Sequence, residues 1–255
     1  CILSISDLHI PFQKPIETFS AYAGKIDILQ VNGDLVDCSS ISRFLKVYRK
    51  SPMEEILIAR QYMIDLIEML QPKKVIINYG NHDLRFQNYL AKNLDTDLLE
   101  LMPKTSLELI FVDGFNHYNK ELHTKVHYDP LIDVFKDSGI EIVYNDTWFS
   151  FVGETIFVHP LAYSSGMLKT AEKAYRYFKD NDYFFDTIVM AHTHKTGHYD
   201  IGNSVIYEQG CCCETSKMDY ADGKLTPSQR EGFILVYQDK FGRLNEDKTR
   251  IVRLN

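Results

Sequence analysis

The 255-residue chain is 45% hydrophobic and 25% charged, the composition of an ordinary soluble globular protein with apolar mass for a true core. A net charge of −7 argues against broad, sequence-independent binding along duplex nucleic acid, which needs a basic surface, while leaving room for a local basic groove. No apolar run approaches the roughly 18 residues of a membrane helix. The opening CILSISD has no signal-peptide pattern, and a chain starting at Cys1 reads as the trimmed form of a longer one. Five cysteines, three of them consecutive at Cys211, Cys212 and Cys213, fit a reduced, cytoplasmic chain better than a disulfide framework. No CxxC spacing supports a soft-metal site at that triplet, so it reads as buried strand residues.

In chain order, ILSIS is a strand and DILQVNGD contains a second. From Pro52 to Leu70, Ile56, Ala59, Met63, Leu66, Ile67 and Leu70 recur at helical spacing, and KKVIINYG then gives a third strand. This strand–helix–strand rhythm predicts a parallel or mixed sheet with helical crossovers. Residues 84–139 read as a helical and loop-like insertion, a candidate cap, carrying many aromatics and His117, His123 and His127 on a solvated surface. GIEIVYND, TWFSFVG and ETIFVHP read as successive strands, followed by a helix near Lys169–Lys179 and the strand DTIVMAHTH. The remainder is β-rich, in NSVIYEQGCCC, EGFILVY and TRIVRLN. Without repeats or a linker, one domain over 1–255 is the simpler organisation.

Polar clusters fall where strands end. SISDLH supplies Asp7 and His9, LQVNGD supplies Asp34, and IINYGNHD supplies Asn81, His82 and Asp83. TIFVHP supplies His159, and TIVMAHTH supplies His192 and His194. Singly, each has a plain explanation: aspartates cap helices and form turns, and a histidine at a strand end can be a satisfied core residue. Recurrence at one sheet edge is different, because open α/β sheets bind ligands beyond the carboxyl ends of their strands. In an extended segment the i, i+2 pairs Asp7/His9 and His192/His194 would point the same way. Imidazoles mixed with carboxylate and amide oxygens suit a borderline divalent cation, and the donors outnumber the needs of one tetrahedral ion.

These motifs, DLH (Asp7–His9), GDLVD (Gly33–Asp37), GNHD (Gly80–Asp83), VHP (Val158–Pro160) and AHTH (Ala191–His194), resemble in order those of the calcineurin-like metallophosphoesterase superfamily. Val158 and Ala191 stand where that family usually has glycine, which alters backbone freedom and removes no ligand. The resemblance implies a four-layered α/β sandwich, two mixed β-sheets flanked by helices. It implies a first metal held by Asp7, His9, Asp34 and His194, and a second by Asp34, Asn81, His159 and His192, with Asp34 bridging. Manganese is the first choice for the two ions, with Fe, Zn, Ni, Co or Mg as alternatives. His82 would be the general acid toward the leaving alkoxide, with Asp83 orienting its imidazole, while a hydroxide between the ions attacks in line.

Arg85 reads either as a clamp on a phosphate oxygen or as a surface ion-pair arginine. LAYSSGMLK offers Tyr163, Ser164, Ser165 and Lys169 as a candidate substrate loop. GDLVDCS lacks the Arg-Gly pair of the family's protein phosphatases, and GNHD is common among its phosphodiesterases and nucleases. Phe86, Tyr89, Phe111, Phe115 and Tyr118 could stack a base or form the insertion's own core. The expectation is a phosphodiesterase acting on a nucleotide or nucleic-acid end. A phosphomonoesterase is the alternative, and a non-catalytic metal-binding scaffold is remote because every ligand and the acid are present.

Overall fold

The computed structural model describes residues 1–42, 50–102, 105–164, 166, 168–218 and 229–254. Its first half follows from the apolar strand cores. β1 (Ile2–Ile5), β2 (Ile28–Asn32) and β3 (Lys74–Asn78) pair in parallel, which requires crossovers on a face of the sheet. The crossover from β2 to β3 is α1 (Pro52–Leu70). Its start is fixed by a capping box: Glu54 N donates to Ser51 Oγ at 3.2 Å, and Ser51 N donates back to Glu54 Oε2 at 2.8 Å. Pro52 fits the first helical position, where its missing N–H costs nothing, and Gln71 in a left-handed conformation ends the helix. All six apolar positions anticipated from the spacing are buried against the sheet.

After α1 come α2 (Leu84–Asn93), a hairpin of β4 (Phe115–Asn119) and β5 (Thr124–Tyr128), and then β6 (Glu141–Tyr144), β7 (Phe149–Val152) and β8 (Thr155–Val158). They are followed by α3 (Lys169–Asp180), β9 (Thr187–Met190), β10 (Thr196–Ile201), β11 (Ser204–Gln209), β12 (Gly232–Val236) and β13 (Arg250–Arg253). One six-stranded sheet has the order β13-β12-β1-β2-β3-β6, and a five-stranded sheet has the order β10-β11-β9-β8-β7. Both are mixed: β8, β9 and β11 run parallel, while β7, β10, β12 and β13 pair antiparallel.

Three apolar layers separate four structural ones. α1 packs on the first sheet, and α3 sets Ala171, Ala174 and Phe178 against the second. Ile2, Phe157, Val189, Tyr207, Ile234 and Val236 fill the space between the sheets. The result is the expected four-layered α/β sandwich. Near the carboxyl ends of the strands this apolar filling gives way to amides: Asn78 Nδ2 donates to Asn32 Oδ1 and to Phe157 O, both at 3.1 Å, and Asn32 Nδ2 donates to Val158 O at 3.1 Å. Asn145 Nδ2 extends the chain to Asn78 Oδ1 at 3.2 Å.

Residues 84–139 differ from the helical and loop-like expectation in containing the β4–β5 hairpin. Leu107, Ile110, Phe111, Phe115, Leu131 and Phe135 join the main core, so Phe111 and Phe115 are structural and unavailable to stack a base. Phe86 packs against the same core, while Tyr89 and Tyr118 are exposed. His123 and His127 are exposed and His117 is half-buried.

Candidate metal centre

β1, β2 and β3 on one sheet, and β8 and β9 on the other, end at a common edge, and the loops leaving them carry the polar clusters. The backbone there is not extended. Asp7 (φ 50°), His9 (φ 46°), Asp34 (φ 53°), His192 (φ 79°) and His194 (φ 53°) all occupy the left-handed region. Asp7/His9 and His192/His194 therefore share a direction because the chain turns sharply at each residue, not through the two-residue period of a strand. A non-glycine residue there costs on the order of 1–3 kcal/mol, and such strain concentrates at functional sites. The glycines stand where nothing else fits. A Cβ on Gly33 (φ 80°) would strike the His159 ring, and one on Gly80 would strike the Asp34 carboxylate and amide.

Two groups of the gathered side chains match the implied ligand sets, while His9, Asp37 and His82 meet within the same 4.8 Å beside them. In the first, His194 Nε2 lies 3.2 Å from Asp7 Oδ1 and 3.0 Å from His9 Nε2. In the second, His159 Nε2 lies 3.3 Å from Asp34 Oδ2 and 3.4 Å from Asn81 Oδ1, with His192 completing the set. Asp34 Oδ2 is also 3.8 Å from His9 Nε2, which places it between the groups. In each group one ligand atom from every His and Asp lies within 4.8 Å of the others. His159 Nδ1 donates to Asn32 O at 2.9 Å, which turns Nε2 toward the centre, the usual outer support of a metal-binding imidazole.

These residues fit divalent ions on chemical grounds. His192 Nε2 is buried without a hydrogen-bond partner, and His9 and His194 press like nitrogens together. Burial alone would raise Asp34, but His159 and His82 outweigh it and hold its carboxyl well below the usual range. Burial likewise opposes ionisation of Asp7, and His194 and His159 overcome it. Burial would discharge His159, yet Asp34 and Asp7 push it up to about 9. His192 is pulled down to about 4 by burial and by His159. The carboxylates thus create a strong local demand for positive charge, the field that a cation site needs.

His82 sits beside both groups, and its partner is not the one expected. Asp83 does not touch the imidazole. Its carboxylate accepts from the backbone amides of Asp34 and Gly80, both at 2.8 Å, and of Val36 at 3.3 Å. Burial, then Asp34, push Asp83 up to about 7 despite those bonds. Asp37 instead holds the ring, with its Oδ1 2.8 Å from His82 Nδ1 and 3.3 Å from His9 Nδ1. The physical reason is directional: a side chain adjacent to His82 at the start of α2 points back under the Gly80 turn, while Asp37 approaches from the facing loop. Asp37 was in plain view, three residues after Asp34 in GDLVD, but without a role.

Arg85 bridges the same pair. Its Nη1 donates to Asp37 O at 2.7 Å and its Nη2 donates to His82 Nε2 at 2.9 Å. A guanidinium can only donate, so Nε2 accepts and the ring proton rests on Nδ1 facing Asp37. Burial, outweighing Asp34, pulls His82 down to about 4.

Of the substrate-loop residues, Tyr163 is half exposed with its ring edge-on to His192, centroids 6.0 Å apart. The buried Lys195, unremarked in sequence, places its ammonium 5.4 Å from the Tyr163 ring. Lys169 is exposed and ion-pairs at 3.2 Å with Glu172 on its own helix, so the structure does not gather it with the others. Ser164 N donates to Thr170 Oγ1 at 3.0 Å, tying the loop to α3, and Ser165 lies outside the described residues.

Fold and donor set together define a metal-binding α/β sandwich. The family model for calcineurin-like phosphoesterases matches residues 2–196, and the chain belongs to that family. No curated protein sequence matches it. Among solved structures it is similar to an archaeal phosphodiesterase, at 13% identity over 99% of each chain with a TM-score of 0.46. It is similar to vacuolar protein sorting 29 from Cryptosporidium parvum, at 16% identity over 99% of this chain and 95% of that one, TM-score 0.44. A predicted phosphoesterase from Streptococcus pneumoniae gives 11% identity over 99% and 97% of the two chains, TM-score 0.37. Family membership rests on the sequence match and not on these superpositions.

Proposed function

We propose that the protein is a dinuclear metal-dependent phosphodiesterase acting on a nucleotide or a nucleic-acid end. The observation that supports it is the pair of cation-sized donor groups meeting at Asp34 with His82 alongside. Asp7, His9, Asp34 and His194 would hold one ion, and Asp34, Asn81, His159 and His192 the other. The mixed nitrogen and oxygen donors suit the borderline divalent ions as a class, among which Mn is the ion tested first. Bound there, the ions would polarise phosphoryl oxygens and lower the pKa of a coordinated water from about 15.7 toward roughly 7.

The remaining work falls to the chain's own residues. His82 is the general acid: its resting proton stays on Nδ1 toward Asp37, so a second proton must be taken from solvent on Nε2 to meet a departing alkoxide. Arg85 holds that nitrogen in the substrate-free arrangement. A phosphate oxygen competes for the guanidinium with a bidentate, charge-assisted contact and draws it off Nε2. Asp37 then keeps the ring in plane and stabilises the imidazolium. Asp83 contributes by pinning the Asp34 and Gly80 amides, and Tyr163 borders the second group as a substrate contact. The diester preference is supported by Arg85 as the guanidinium at His82, since a singly charged diester needs fewer cationic partners than a doubly charged monoester.

Rates on bis(p-nitrophenyl) phosphate and p-nitrophenyl phosphate, with Mn added, separate diester from monoester hydrolysis. A screen over cyclic nucleotides, dinucleotides, single-stranded and duplex DNA, RNA and phosphopeptides then finds the substrate class. Faster turnover of the monoester refutes the diester reading, and no turnover with any of Mn, Fe, Ni, Co, Zn or Mg refutes the enzyme.

A further inference from the structure

Leaving β11, the chain passes Gly210 and runs through Cys211, Cys212 and Cys213 in a segment clamped on both sides. Cys212 N donates to Ser6 O at 2.9 Å and Lys14 N donates to Cys212 O at 2.8 Å. Isolated bridges join Cys211 to Glu231 and Cys213 to Gln13. The side chains alternate. Cys212 enters the main core, while Cys211 and Cys213 face the other way, sheltered by Met218 and Phe12.

On that other side they meet His194. A ring nitrogen of His194 and the sulfurs of Cys211 and Cys213 all lie within 4.8 Å of one another, and all three residues are buried. The Cys211 sulfur donates to Arg230 O at 3.4 Å, which holds it at the edge of this group. Tetrahedral zinc with Zn–S of about 2.3 Å and Zn–N of about 2.0 Å would need these atoms roughly 3.5–3.8 Å apart, a small contraction from that limit.

We propose that Cys211, Cys213 and His194 form a third, thiolate-based site that takes a soft ion such as Zn²⁺, Cd²⁺ or Cu⁺ and competes with the first catalytic position for His194. The donor set differs in kind from its neighbours, having two sulfurs, one imidazole and no oxygen, which selects soft cations over Mn or Mg. Electrostatics point the same way. Two buried thiolates are costly alone, but with one divalent ion and a neutral imidazole they make an uncharged unit suited to an apolar shelter. The thiol protons leave to solvent as the ion binds, and no electron transfer is involved. His194 Nε2 faces Asp7 and His9. An ion at the sulfurs draws the ring toward them and weakens the hold on the first position. Soft metal thus acts as an inhibitor through a ligand shared between two sites of opposite preference. This inference rests on the proposed function only in taking His194 as a ligand of the first ion.

The test is a Cd²⁺ titration of the reduced, Mn²⁺-loaded protein without substrate. It reads thiolate-to-cadmium charge-transfer absorption in the ultraviolet and free Mn²⁺ by electron paramagnetic resonance. The expected result is a charge-transfer band rising together with released Mn²⁺. The band is lost in Cys211→Ser and Cys213→Ser and kept in Cys1→Ser, which removes the least buried of the five thiols. Cadmium X-ray absorption on the unaltered protein shows sulfur from both thiolates in the first shell, which decides the matter if a serine variant does not fold. Absence of the band, its survival in both serine variants, a first shell of nitrogen and oxygen alone, or a band without Mn²⁺ release overturns the proposal. The band is read without turnover, so a protein that hydrolyses no phosphoester can still show it.

Discussion

Replacing Asp37 with asparagine isolates the group that orients the proposed acid. The carboxylate Oδ1 sits 2.8 Å from His82 Nδ1, and asparagine keeps the shape while removing the charge. A hydrogen bond to a charged partner is worth about 1.5–3 kcal/mol, which corresponds to a roughly ten- to hundredfold loss when expressed only in the transition state. The loss grows with the basicity of the leaving group, because a good leaving group departs without a proton. The assay is kcat for a series of aryl phosphodiesters from p-nitrophenyl to phenyl, beside metal content by elemental analysis. Asp37→Asn is expected to retain its metals, to turn over the p-nitrophenyl ester nearly normally and to fail progressively on poorer leaving groups. Asp83→Asn provides the contrast. Its carboxylate accepts three backbone amides, so that variant loses stability and metal together, with the same fractional loss for every leaving group. A steeper leaving-group dependence in Asp83→Asn than in Asp37→Asn would refute the assignment.

The proposed metal ligands and the proposed acid separate by elemental analysis: His192→Ala is expected to lose about one equivalent while His82→Ala keeps both, and equal loss would count against the division. Gly80→Ala drives a Cβ into Asp34, an overpacking worth about 1–3 kcal/mol, visible as a lowered Tm and reduced metal content. Burial pushes the Glu55 carboxyl on α1 from 4.5 up to about 7, although Ser39 donates to it through its hydroxyl at 2.7 Å. A raised value in the folded state means the protonated form is preferred there, so this stabilisation is full below pH 4.5 and is lost as pH rises through about 7. Denaturant melts should show the parent losing up to about 3 kcal/mol relative to Glu55→Gln across that window. A difference that does not change with pH sinks the argument.

The strand ends were legible because each apolar run stops abruptly at a metal-capable side chain, and the helix over Pro52–Leu70 because its apolar residues recur at helical spacing. The β4–β5 hairpin was not, since FNHYN and TKVHY carry no apolar alternation to mark a buried face. The left-handed backbone at Asp7, His9, Asp34, His192 and His194 was also invisible. Asp and His adopt that conformation more readily than most side chains, but in sequence they do not announce it as glycine does, and here tertiary contacts select it. Asp37 as partner of His82 depends on how two loops 45 residues apart face each other. Local spacing carries no such information, and adjacency made Asp83 the natural but mistaken choice.

The run of amides Asn32, Asn78 and Asn145 beneath the centre has a mechanical meaning. Loops from one sheet carry Asp7, Asp34 and Asn81 and loops from the other carry His159, His192 and His194, so the spacing of the two donor groups is a property of the seam between them. Apolar contacts resist separation of the sheets but slide readily, because they have no direction. A hydrogen-bonded amide rivet such as Asn32 Nδ2 to Val158 O fixes the sliding coordinate. The gauge of the candidate metal centre is therefore set two or three residues before Asp34 and Asn81, in side chains outside both donor groups.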